Sequence, residues 1–172
     1  LYLDKVEEQL RMFAFFIDVA MELTTLRSYH SGAAIHFGLV SHQVARLTYL
    51  LEGLEKNRIS GGKMAFKKFK KVAAIFESAR NFRFYRALIA DETLGPFLPF
   101  LAVHLRDIVT MKETGSSFSA KDEGKDTLLI NHEKMTLMGN AVAPLCKSKE
   151  ASILSVSELQ TLASQKLTSY LA

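Results

Sequence analysis

KVEEQLRMFAFFIDVAMELTTL, running from Lys5 to Leu26, repeats its apolar residues along two stripes. Val6, Leu10, Phe13, Ile17 and Met21 form one, and Met12, Phe15, Phe16, Val19 and Leu23 form the other. Residues three and four apart share a face of an α-helix, so each stripe is one side of the same helix. A helix apolar around most of its circumference belongs in the middle of a larger core. The stretch therefore predicts a central buried helix, and the rest of the chain must supply its neighbours.

Downstream, the spacing predicts further helices. After a break near Ser28 to Gly32, a short apolar turn from Ala33 to Leu39 leads into Val44, Leu47, Leu51 and Leu54, one helical face. Asn57 to Gly62 reads as a turn. A basic helix follows, with Lys63, Lys67, Lys68, Lys70 and Lys71 around Met64, Phe66, Phe69, Val72 and Ile75. Ser78 to Ile89 reads as a helix ended by Gly95-Pro96, and Pro99 opens another that runs to about Glu113, since a first-turn proline lacks only an amide with no intrahelical partner. Thr114 to Asp126 is rich in Gly, Ser and charge and reads as a loop. Leu128 to Ile130 leads into a helix from about His132 to Val142, stopped near Pro144. Ser155 and Glu158 form a capping box ahead of Leu159, Leu162, Leu167, Tyr170 and Leu171. No segment alternates as a strand, so the expected fold is all α.

Length and composition agree with one globular core. The chain has 172 residues, 48% of them hydrophobic and 23% charged. Its net charge of +4 tolerates an anionic partner without demanding one. Cys146 is the single cysteine, which excludes an internal disulfide and suits a reducing, cytoplasmic compartment. The longest early apolar run, Met12 to Ile17, falls far short of the roughly twenty residues a spanning helix needs. The sequence opens inside helix-forming residues, with no basic region and cleavage site, and reads as a fragment.

Catalytic chemistry is hard to find. No Gly-rich phosphate loop ends in Lys-Ser or Lys-Thr, so the chain is not expected to hydrolyse nucleotide itself. His30, His36, His42, His104 and His132 are scattered without metal-ligand spacing, and no cofactor is implied. No serine sits in a nucleophile elbow. The lysines interleaved with aromatics on the basic helix suit a solvated face whose rings point inward. Nothing else supports a nucleic-acid partner. From the residues alone, the chain is a helical protein with a binding or scaffolding role.

Six short motifs, in order, go further. Phe15-Phe16-Ile17-Asp18-Val19-Ala20 leads to Glu22-Leu23 and Leu26, and Tyr29-His30-Ser31 follows. Ala34-Ile35, Gly38-Leu39, Ser41, Val44 and Arg46-Leu47 make the third piece. Ser78, Arg80-Asn81-Phe82 and Tyr85-Arg86 make the fourth, Pro96 to Leu101 the fifth, and Leu129-Ile130-Asn131 the sixth. In order and spacing, over roughly residues 12 to 145, they resemble the catalytic domain of Ras-family guanine nucleotide exchange factors. His30, Val40 and Gln43 stand where that family often has Asn, Asn and Pro. Its N-terminal third, with a Gln-Leu-Thr-x-x-Glu helix, has no counterpart in this sequence.

The resemblance implies that the chain promotes GDP release from a Ras-like small GTPase by binding its nucleotide-free form. An inactive scaffolding module of the same fold is the alternative. It further implies an irregular, orthogonally packed helical domain with a projecting helical hairpin over residues 99–145. By register from Pro99-Phe100, the hairpin's first arm places an apolar and an acidic residue at Val109 and Glu113. The implied GTPase-gripping surface comprises Ala33, His36, Phe37, Leu39, Val40, Ser78, Arg80, Asn81, Phe82 and Phe100, with Arg106 and Asp107 on the arm. Leu39, Phe82 and Phe100 suit a helical core as well as an interface. Membrane attachment is expected only through the GTPase or other domains. Uncovered apolar surface on the first helix is expected to favour self-association.

Overall fold

In the computed structural model, which describes residues 5–91, 93, 95–119 and 129–150, the opening stretch is helix α1, Val6–Thr25. Most of its first stripe goes inside: Leu10, Phe13 and Ile17 are buried, joined by Ala20 and Thr24, while Val6 is exposed and Met21 half-buried. The second stripe stays half-buried, with Phe16 exposed. Among the described residues, the central burial expected from the sequence is therefore achieved on one side only. That side is covered by α2 (Tyr29–Leu39), α4 (Thr48–Glu55) and α5 (Gly62–Ile75), which all pack on α1. Two apolar clusters result. One gathers Leu10, Phe13 and Ile17 with Leu50, Leu54, Ile59 and Ala65; the other joins Ala20 to Tyr29, Ala33, Val72, Phe76, Tyr85, Phe100 and Val103.

The break after α1 is shorter than the sequence suggests. Arg27 adopts a left-handed φ of 58°, ending α1, and α2 resumes at Tyr29. Gly32 is no breaker: it lies inside α2, where an added Cβ would stand 3.0 Å from Thr24 Cγ2. The glycine lets α1 and α2 approach closely. Buried Arg27 then fastens a distant segment to this corner. Its guanidinium donates to the carbonyls of Gly95 and Leu88 and lies over the Phe97 ring. The Tyr29 amide donates to the Leu98 carbonyl and the Leu98 amide to the Arg27 carbonyl, each at 2.9 Å. These bonds fix where the next long helix begins.

Three more expectations need correction. The face from Val44 to Leu54 is split into α3 (His42–Ala45) and α4, because Leu47, with ψ of 62°, leaves helical geometry. The helix expected from Ser78 begins only at Arg83, as α6 (Arg83–Ala90), for a reason given below. Helix α8 (His132–Glu150) carries Pro144 inside it: the ring removes one amide donor without ending the helix. The α7 helix (Leu101–Glu113) follows a buried Pro99 and packs against α8. Between them a two-residue antiparallel ladder pairs β1 (Phe118–Ser119) with β2 (Leu129–Ile130). The sequence offered no strand there, since two residues are too few to alternate. Eight α-helices among the described residues make the domain all α. The capped segment from Ser155 to Leu171 lies outside the described residues. No helix among the described residues is long and apolar enough to cross a membrane.

Candidate functional site

Helix α7 is rooted at its start and uncovered further on. Val103 and His104 are its buried residues, whereas Leu105, Val109 and Glu113 are exposed, Val109 by 52%. Val109 and Glu113, four apart, lie on one helical face. The root is hydrogen-bonded through Tyr85, which is fully buried: its hydroxyl accepts from the Phe100 amide at 2.9 Å and lies 2.7 Å from His104 Nε2. Burial lowers the His104 pKa, favouring neutral imidazole; because the hydroxyl already accepts from the Phe100 amide, the tautomer protonated on Nδ1 lets the Tyr85 O–H donate to Nε2. Burial likewise pushes the Tyr85 pKa up to about 12, keeping that proton in place.

The far end of α7 is held by a residue the sequence reading overlooked. Lys134 on α8 is buried, and its ammonium donates to the carbonyls of Lys112 at 2.9 Å and Gly115 at 2.8 Å. A cation there satisfies carbonyls left open at a helix C-terminus and complements the helix dipole. Asn131 assists from the start of α8: its Oδ1 accepts from the Lys134 amide and its Nδ2 donates to the Ser116 carbonyl, both at 3.1 Å. Glu113 thus stands between two carbonyls tied to α8. The only signal in the sequence was an Asn three residues before a Lys at a helix start.

The segment ahead of α6 is backbone-strained. Arg80, Asn81 and Phe82 have φ of 51°, 57° and 57°, three successive left-handed residues without a glycine. Each such residue costs about 1 kcal/mol or more, so neighbours must hold the turn. Arg86 Nε donates to the Asn81 carbonyl at 2.8 Å, and Arg106 donates to Asn81 Oδ1. Arg106 also lies over the Phe82 ring at 5.5 Å, and Arg86 pairs with the half-buried Asp107 at 2.6 Å. Arg106 and Asp107 on α7 are therefore brought to the same turn as Arg80, Asn81 and Phe82.

Aromatic rings extend this surface to α2. Phe37, 41% exposed, and half-buried Phe82 both touch Phe100, with centroids 5.8 and 5.9 Å away. Phe100 itself is buried in the core cluster, so Phe37 and Phe82 present the accessible edges. Val40, Ser78, Arg80 and Asn81 are exposed. Ala33 is wholly covered, and half-buried Leu39 packs on the other cluster. His36 is also buried, among Phe37, Phe69 and Phe76; burial lowers its pKa, and its Nδ1 has no hydrogen-bond partner. Ala33 and His36 are therefore not accessible to a partner, contrary to the expectation from the sequence, and Leu39 is only partly so. Among the described residues no group of three or more His, Cys, Asp or Glu could hold a metal ion.

The whole arrangement lies within a segment with known relatives. The RasGEF domain profile matches residues 1–136, and the chain belongs to the RasGEF domain family. Over 134 residues, 78% of this chain, it is 33% identical to Ras guanine nucleotide exchange factor A of Dictyostelium discoideum, covering 21% of that protein. Over 145 residues, 81% of this chain, it is 29% identical to Rap guanine nucleotide exchange factor 3 of Mus musculus, covering 14% of it. Ras guanine nucleotide exchange factor D of Dictyostelium discoideum is 25% identical over 135 residues, 78% of this chain and 18% of that relative. The chain spans about a fifth of the length of these relatives, or less.

Proposed function

We propose that this chain is the nucleotide-exchange module of a factor acting on a Ras-like small GTPase. The observation that carries the reading is the split character of α7: a root locked into the core, and an uncovered face bearing Val109 and Glu113. With α8, it is the hairpin that enters the GTPase. A Ras-like GTPase holds nucleotide through phosphate-loop amides, a lysine and a magnesium ion on a Ser/Thr hydroxyl. Those contacts also order its switch segments. Val109 would put methyl groups, which cannot coordinate magnesium, where the ion sits. Glu113 would accept a hydrogen bond from the phosphate-loop hydroxyl and repel the nucleotide's phosphates. Phe37, Phe82 and Val40 would grip the other switch, with Arg80 and Asn81 at the border. By linkage, the factor weakens nucleotide binding as much as nucleotide weakens the factor's, about 1.4 kcal/mol for each tenfold.

Release of a fluorescent nucleotide from a panel of Ras-like GTPases tests this. The parent chain should accelerate release from at least one member, and Glu113→Ala should slow that release tenfold or more, with an unchanged melting temperature. Wild-type rates from the variant would refute the role of Glu113. A parent that binds nucleotide-free GTPase yet never accelerates release would favour a scaffolding module.

A further inference from the structure

Charge is segregated in this chain. Between Glu55 and Glu77 there are seven lysines and arginines and no acidic residue. That segment carries +7; against the chain's +4, the remainder therefore carries −3. Helix α5 arranges four of these charges together. At 100° per residue, Lys63, Lys67, Lys70 and Lys71 fall within an arc of about 100° over about 12 Å of helix. Buried Ala65 and Val72 mark the opposite side. All four lysines are exposed, and among the described residues none stands within ion-pair distance of a carboxylate. Lys68, off this arc, pairs with Asp18 of α1. Met64, 59% exposed, flanks the lysines.

We propose that, in place of the purely indirect membrane attachment expected from the sequence, this face of α5 itself docks the domain on an anionic phospholipid surface. Three features favour lipid. Every cation in the arc is a lysine, a hydrated point charge on a flexible stem, which suits a diffuse layer of headgroups; discrete carboxylates or phosphates in a protein partner are better matched by the planar fork of Arg. The arc is the convex side of one helix with an exposed thioether at its edge, a form suited to a flat interface that admits a short apolar chain. Phe66 and Phe69 are half-buried and packed against the core, so no rings are free to stack nucleic-acid bases. None of the residues assigned to GTPase binding lies on α5, so docking and exchange use different parts of the chain.

Co-sedimentation of the chain with phosphatidylcholine vesicles, with and without phosphatidylserine, at low and high salt, tests the proposal. Binding should require phosphatidylserine and weaken with salt. Each lysine near such a surface contributes about fivefold to partitioning, so Lys63→Gln/Lys67→Gln/Lys71→Gln should lower it on the order of hundredfold. Its melting temperature should not change, because these lysines are exposed and form no ion pair among the described residues. Arg11→Gln/Lys56→Gln, which removes two charges from ion pairs elsewhere, should bind like the parent. No binding to phosphatidylserine vesicles at low salt, equal binding to neutral vesicles, or no effect of the triple substitution would each overturn it. Tighter binding of an RNA oligonucleotide, lost in the same triple variant, would reassign the face to nucleic acid.

Discussion

Replacing Tyr85 by Phe removes one oxygen atom from the junction that roots α7. The ring stays, with its edge-on contacts to Tyr29 at 5.4 Å and Phe100 at 6.2 Å, so no large cavity opens. What is lost is the acceptor for the Phe100 amide and the donor to His104 Nε2. His104 is 2% exposed, so water does not readily replace the hydroxyl. Each buried polar group left unpaired costs about 1–3 kcal/mol; two of them, after partial relaxation, should cost about 2–4 kcal/mol. For a chain of this length, each kcal/mol lowers the melting temperature by about 2–4 °C, which predicts a fall of about 4–16 °C. Thermal melting followed by far-ultraviolet circular dichroism, with a matched urea titration, measures it. Adding His104→Leu removes one orphaned group, so the double variant should lose less than the sum of the single losses, by about 0.5 kcal/mol or more. A Tyr85→Phe protein that melts with the parent, or strictly additive losses, would show that this hydroxyl does not hold α7 in place.

Other perturbations follow from the same geometry. Lys134→Met should cost about 1–3 kcal/mol, since it removes a charged donor from two carbonyls; it should also slow nucleotide release, while Lys134→Arg keeps part of both, as melting and release assays would reveal. Gly53→Ala should destabilise by about 1–3 kcal/mol despite the better helix former, because overpacking outweighs propensity. The new Cβ would stand 2.7 Å from Leu10 Cδ2, and an unchanged urea midpoint would contradict that contact. Burial lowers the pKa of both His36 and His104, so the unfolded chain takes up protons that the folded chain resists. Their contribution is complete above the unfolded value of about 6.5 and is lost as pH falls below it. Urea midpoints should therefore drop between about pH 6.5 and 5, and a flat profile over that window would refute the effect.

Most of the helical order was legible, because burial imposes periodicity. Leu10, Phe13 and Ile17 could be read off their spacing, and so could a helix running from just after Pro99 to about Glu113. Periodicity does not report what covers a stripe, and Met12, Phe15, Val19 and Leu23 repeat just as regularly yet remain half-buried. Positions set by tertiary partners were harder. Nothing in the sequence marks Arg27 for burial: its worth lies in carbonyls sixty or more residues away. Pro144 predicts a stop from local propensity, yet α8 continues through it.

The turn at Arg80 to Phe82 is the clearest case, and the one nearest the proposed site. Ser-Ala-Arg-Asn-Phe contains no glycine or proline, so local propensity favours continuing a helix. The chain instead adopts three left-handed residues. The compensation arrives from elsewhere: Arg106 of α7 reaches Asn81 and Phe82, and Arg86 bonds the Asn81 carbonyl while pairing with Asp107. A strained turn with supports on both α6 and α7 is coupled to the placement of α7. The motif Arg80-Asn81-Phe82 with Tyr85-Arg86 thus unites two requirements that sequence reading could only list side by side. Asn81, Phe82 and Arg86 grip α7 at Arg106 and Asp107, and Tyr85 locks its root. The exposed groups on the turn and on the arm are thereby held in one fixed relation.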